Sequence, residues 1–81
     1  MIKIRRGDAF KLVAYAADDN NQELASDILR IIVKSMSRRK KFSPLNPYVT
    51  ANSKKEIRDL KKGLEKYGDD IKIIEEKNLF N

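Results

Sequence analysis

The sequence predicts a mainly α-helical fold, in which a helical hairpin is followed by a third helix. Two stretches carry apolar residues at helical spacing and are separated by a short polar run, and a capping-box motif precedes a third such stretch. Apolar and charged residues also alternate near both ends, which leaves an α+β alternative with a short two-stranded pairing of the N- and C-terminal segments. At 81 residues, we expect a single small domain over 1–81.

The first helix is predicted over residues 8–17. Asp8 can cap its N-terminus with a side-chain oxygen, and the polar run Asp18–Asn21 ends it because such side chains favour turns. Its apolar face consists of Ala9, Phe10, Val13, Ala14, Ala16 and Ala17. We therefore place Phe10 in the core. Tyr15 falls on the other side, either as a contact residue or as a half-buried packing residue.

The second helix is predicted over residues 21–37. It has a broad apolar stripe made of Leu24, Ala25, Ile28, Leu29, Ile31, Ile32, Val33 and Met36. Because only a short polar turn separates the first two helices, the pair should form an antiparallel hairpin.

An extended connection is predicted over residues 38–52, because Pro44 and Pro47 bias the residues before them away from helical conformations. The connection is long for a structureless loop. One alternative is a functional loop, and the other is a segment that packs back through its apolar residues, Phe42, Leu45, Tyr48 and Val49.

The third helix should begin near residue 54, because Ser53 and Glu56 match the capping-box pattern. Its narrow apolar stripe consists of Ile57, Leu60, Leu64 and Tyr67. Gly68 is expected to end it as a left-handed C-cap.

The tail, residues 71–76, has two interpretations. It can form a short strand that pairs with Ile2 and Ile4, or a fourth helix capped by Asp69 or Asp70. We favour the strand.

The absent residue types limit the chemistry. The chain contains no His and no Cys, so it lacks an imidazole base, a thiolate nucleophile and the usual zinc ligands. Its three glycines stand far apart, which excludes a glycine-rich phosphate loop. We predict that the protein is not an enzyme, with no catalytic residues, no metal site and no cofactor.

Membrane insertion is not expected, because the longest apolar run, Ile31–Val33, is far shorter than a membrane span. The basic start at residues 1–6 is followed by Gly7 and Asp8 instead of the apolar core of a signal peptide. We expect a cytoplasmic protein.

Basic residues form two helical stripes within a net charge of +6. Arg30, Lys34 and Arg38 recur every four residues and lead into Arg39, Lys40 and Lys41. The second stripe, on the third helix, contains Lys55, Arg58, Lys62 and Lys66. Two aromatic residues, Phe42 and Tyr48, follow the first stripe in the sequence. The candidate binding residues are therefore Arg30, Lys34, Arg38, Arg39, Lys40, Lys41, Phe42, Tyr48, Lys55, Arg58 and Lys62.

These features favour a non-catalytic macromolecular interaction module, such as a protein-binding adaptor, an inhibitor or an N-terminal recruiting domain. It would bind through a basic helical surface and the loop 38–48. Its partner would be another protein with an acidic surface. The alternative is a sequence-nonspecific nucleic-acid-binding protein that uses the same stripes, with Phe42 and Tyr48 stacking on bases. The acidic segment 18–29 could also attract the basic stripe of a second copy, which would give a homo-oligomer.

Residues 8–41 resemble the N-terminal helical region found ahead of the ATPase module in some prokaryotic AAA-type ATPases. The resemblance is carried by Lys11-Leu12-Val13-x-Tyr15-Ala16, Asp19-Asn20, Ile28-x-x-Ile31-Ile32 and Arg38-Arg39-Lys40. It implies an interaction or substrate-recruiting element. It implies no ATPase activity, because the chain has no Walker A lysine motif. The chain also departs from the family pattern by lacking the usual Gly-His after the basic stretch.

Overall fold

A computed structural model describes residues 1–37 and 47–77 and confirms the mainly α-helical fold class, with a short antiparallel sheet. The elements in chain order are β1 (Ile2–Arg5), α1 (Arg6–Asp18), α2 (Gln22–Ser37), β2 (Tyr48–Ala51), α3 (Lys54–Tyr67) and β3 (Ile73–Glu76).

The sheet has the strand order β2-β1-β3, and both neighbours run antiparallel to β1. Ile4 lies opposite Val49 on one side and Ile73 on the other, so the predicted pairing of the terminal segments is confirmed. The strand interpretation of the tail is confirmed with it. The sequence reasoning missed β2, which lies inside the predicted extended connection and makes the sheet three-stranded.

The outer edge of β2 is tied to the end of α2. The backbone N–H of Thr50 donates to Ser35 Oγ at 3.0 Å, and Ser35 is buried. The N–H of Arg6 donates to the carbonyl of Pro47. These bonds occupy polar groups beside a sheet edge and hold the start of α1, the end of α2 and β2 together.

The first helix begins two residues earlier than predicted. β1 runs directly into α1, so Arg5 occupies the N-cap position in an extended conformation and gives no side-chain cap. The prediction that Asp8 is the N-cap is therefore wrong. Asp8 instead lies in the first turn, where its carboxylate favours the helix dipole. At the other end Asn20 has φ = 60°, a left-handed conformation that Asn tolerates.

The capping box of α3 is confirmed. Ser53 Oγ accepts a hydrogen bond from the Glu56 N–H at 3.1 Å, and Glu56 Oε1 accepts from the N–H groups of Ser53 and Asn52. Glu56 is buried, and the protein tolerates this burial because the carboxylate is hydrogen-bonded to these backbone donors. The left-handed C-cap is wrong, since Gly68 has φ = −96°.

The helices α1 and α2 form the predicted antiparallel hairpin. At its closed end the N–H of Asn21 donates to the carbonyl of Ala16 at 2.8 Å. Farther along, Leu12 of α1 and Ile28 of α2 both approach Gly63 of α3. The fully buried large side chains of the core are Ile2, Ile4, Leu12, Ile28, Ile32, Val49 and Leu60.

We predict that Gly63→Ala destabilises the fold. A Cβ at Gly63 would lie 2.6 Å from Ile28 Cδ1, and Ile28 is fully buried, so its side chain would have to shift within the core. The overpacking cost of roughly 1 to 3 kcal/mol should exceed the gain of about 1 kcal/mol in helix propensity. Urea unfolding should show a net loss of about 1 kcal/mol.

The Ile28→Val background provides the control, because it removes the clashing methyl group. Gly63→Ala should cost less in that background than in the wild type. Equal stabilisation by Gly63→Ala in both backgrounds would contradict the close approach.

Candidate interaction surface

Three predicted binding residues line one concavity between the second half of α2 and the start of α3. These are Arg30, Lys34 and Lys55. The full lining is Asp27, Arg30, Ile31, Lys34, Ser53, Lys55, Glu56 and Asp59. The two predicted basic stripes therefore do meet, but carboxylates lie among the basic groups and reduce the local positive potential.

Lys62 lies farther along the same groove, where α2 begins and α3 ends. Together with Lys66 it lines a second concavity that also contains Glu23 and Asp27. The acidic first half of α2 thus faces the basic second half of α3. Arg58 is exposed and lines neither concavity.

Tyr48 begins β2, where it is half-buried, and Lys3 Nζ lies 5.5 Å from the centroid of its ring. Lys3 also pairs with Glu75 at 3.3 Å. Two hydrogen bonds hold the pKa of the Glu75 carboxyl below its ordinary value, and the bond from Lys77 contributes more than the bond from Lys3. The Tyr48 ring therefore belongs to a charged cluster on the solvent side of the sheet.

The remaining predicted binding residues, Arg38, Arg39, Lys40, Lys41 and Phe42, lie outside the described residues. The described residues contain 14 of the 18 basic side chains and all 12 acidic ones, a net charge of +2. Four of the six net positive charges therefore belong to residues 38–41.

Four large apolar side chains are exposed on α1 and α2, and we call them the apolar surface. Phe10 is 47% exposed, Leu29 43%, Val33 57% and Met36 39%. The prediction that Phe10 lies in the core is wrong, because the small residues Ala9 and Ala16 fill the interior side of α1 with Leu12.

The members of the apolar surface lie on the same side of the hairpin. On α2, Asp27 and Ile31 line the groove with α3, so Leu29 and Met36, on the opposite flank of the helix, lie away from α3. On α1, Tyr15 reaches Asp70 beside β3, and Phe10 is on the opposite flank.

The antiparallel register of the hairpin places Phe10 of α1 beside the middle of the exposed apolar residues of α2, which are Leu29, Val33 and Met36. Leu12 and Ile28 share one level of the hairpin because both approach Gly63. Phe10, two residues before Leu12, therefore lies level with the turn of α2 between Leu29 and Val33.

For the connection between α2 and α3, the sequence left open whether its apolar residues pack back onto the protein. Val49 does so, because it is only 1% exposed and faces the core from β2. Tyr48 is half-buried, and Phe42 and Leu45 lie outside the described residues. The sequence did contain a signal for the apolar surface. The apolar stripe predicted on α2 is broader than the face that this helix can bury against the core, so some of its members must be exposed.

Two tyrosines join the acidic end of the molecule, opposite the start of α1. Tyr67 Oη donates to Asp19 Oδ2 at 2.6 Å, and Tyr15 Oη donates to Asp70 Oδ2 at 3.0 Å. Each hydrogen bond to a carboxylate stabilises the neutral phenol and raises the pKa of its tyrosine above the ordinary value. These bonds link the end of α1 to the end of α3 and to the segment that follows it.

We predict that these tyrosines bind their protons more tightly in the folded protein. The stabilisation is fully present below the ordinary tyrosine pKa and is lost as the pH rises through the raised folded-state values. Phenolate absorbance in an alkaline titration should show a late-titrating component that Tyr67→Phe and Tyr15→Phe each reduce. A wild-type curve that matches the unfolded chain would contradict the two hydrogen bonds.

Within residues 1–37 and 47–77, no group of three or more acidic side chains is arranged to hold a metal ion. In the same ranges, no helix has the length and apolar character needed to cross a membrane.

No family model matches the chain, and neither curated proteins nor solved structures show detectable similarity to it. The resemblance of residues 8–41 to the N-terminal region of AAA-type ATPases therefore stays a prediction.

Proposed function

We propose that this chain is a non-catalytic protein-binding module and that the apolar surface contacts its partner. The observation that carries the proposal is the exposure of four large apolar side chains, Phe10, Leu29, Val33 and Met36. The helical repeat and the hairpin register place them on one side of the hairpin. Single exposed apolar residues are ordinary, whereas contiguous apolar patches commonly mark interaction sites.

The hairpin is well suited to present such a surface because its opposite side is firmly held. Leu12 and Ile28 are fully buried against α3, and Ser35 fixes the end of α2 to β2. A surface that is already ordered loses little conformational entropy when a partner binds. The absence of His and Cys from the sequence further favours binding over catalysis.

We expect Val33→Asp to abolish partner capture without unfolding the protein. Val33 is the most exposed member of the apolar surface, so its replacement leaves the core intact but puts a charge at the centre of the interface. Loss of a central contact should weaken binding by about ten-fold or more. Quantitative crosslinking and affinity capture from the source cells would compare the variant with the wild type.

Ile73→Asp is the matched control, because it places the same charge at an exposed apolar residue on β3, away from the apolar surface. Circular dichroism should show that both variants are folded. The proposal is contradicted if Val33→Asp retains the proteins that the wild type captures, or if both variants lose them equally.

Nucleic-acid binding is a second candidate, supported by the convergence of Arg30, Lys34 and Lys55 around one concavity. If these residues contact phosphates, affinity should fall steeply with salt. Arg30→Gln should reduce the slope of log affinity against log salt by about 1, whereas Arg58→Gln, outside the concavity, should leave it unchanged. Filter binding over a salt series would measure both slopes, and equal slopes for the two variants would exclude this concavity as the site.

A further inference from the structure

We propose that the apolar surface binds an acidic amphipathic helix of a partner protein. This inference rests on the proposed protein-binding function and specifies the chemistry of the partner.

The shape of the surface fits a helix. Leu29, Val33 and Met36 are spaced by four and three residues, so they form one stripe along about two turns, or roughly 10 Å, of α2. The hairpin register places Phe10 of α1 level with this stripe. Two antiparallel helices with apolar side chains along their junction offer the kind of site that amphipathic helices occupy, with anchors at i, i+3 or i+4, and i+7.

The charge around the surface is basic. Arg6 lies one turn before Phe10 on α1, and Arg30 lies one turn before Val33 on α2. Arg30 also lines the concavity with α3, but it lies only about 60° around α2 from Val33, whereas Asp27 lies about 120° from Val33. Glu23 lies in the first turn of α2, before the stripe begins. Carboxylates on the flanks of a docked helix would therefore meet complementary charge.

A second copy of this chain is the less favourable occupant. A two-fold pairing through the apolar surface would bring together Arg6 and Arg30 from both copies. Like charges across an interface oppose association, and the acidic residues Asp18 and Asp19 lie at the far end of the hairpin. A partner with negative charge around its apolar anchors avoids this repulsion.

The test uses two synthetic helical peptides of about four turns, each with leucines at i, i+4 and i+7 spacing. The remaining exposed positions are Glu in one peptide and Lys in the other. Fluorescence anisotropy with the full chain should show that the Glu peptide binds about ten-fold or more tightly than the Lys peptide. Val33→Asp should abolish binding of the Glu peptide, and Arg30→Glu should weaken it while improving binding of the Lys peptide.

Arg58→Glu is the matched charge control, because Arg58 is exposed on α3, and α3 packs on the flank of α2 opposite Leu29 and Met36. It should leave the preference for the Glu peptide unchanged. Equal binding of both peptides, no binding of either, or an equal effect of Arg30→Glu and Arg58→Glu would overturn the inference. A stable homodimer that Val33→Asp dissociates would also overturn it, because a second copy would then occupy the surface.

The outcomes separate this inference from the proposed function. If neither peptide binds but Val33→Asp still prevents capture of a cellular protein, the function stands and the acidic-helix chemistry is wrong. If Val33→Asp captures the same proteins as the wild type, the proposed function itself fails.

Discussion

The position of Ile28 against Gly63 sets the rotation of α2, and the exposed surface of the molecule follows from that rotation. Ile28 is fully buried where α3 approaches closely enough that even a methyl group at Gly63 would collide with it. With Ile28 turned inward, the helical repeat turns Leu29 and Val33 outward. The same packing that forms the core therefore also sets the geometry of the apolar surface.

Charge is distributed so that most of the described protein is locally balanced. In the α2–α3 groove, Glu23 and Asp27 share a concavity with Lys62, and Asp59 lies near Lys55. Such interleaving weakens the long-range attraction that nonspecific nucleic-acid binding requires. It does not weaken an apolar contact with a basic rim, whose free energy comes chiefly from buried area. The charges of the described residues therefore support the proposed protein binding more than nucleic-acid binding.

Local sequence signals predicted much of the fold, because capping and helical periodicity act over a few residues. Ser53 and Glu56 located the start of α3, and alternation around Ile4 predicted its pairing with the tail. Strand β2 was missed because two prolines dominate the segment before it, and its pairing with β1 is a long-range interaction. Phe10 was misplaced because periodicity identifies an apolar side of a helix but not how much of that side its neighbours cover.

Val33 gives the clearest indication that the apolar surface is not explained by folding alone. It is more than half exposed, so it gains little from burial, and as a β-branched residue it is a weaker helix former than Ala by about half a kcal/mol. Arg30 and Lys34, its neighbours on α2, show that this helix readily carries charged side chains at exposed positions. A residue that serves neither the core nor the helix, and that lies beside Leu29, is better explained by a contact made outside the molecule.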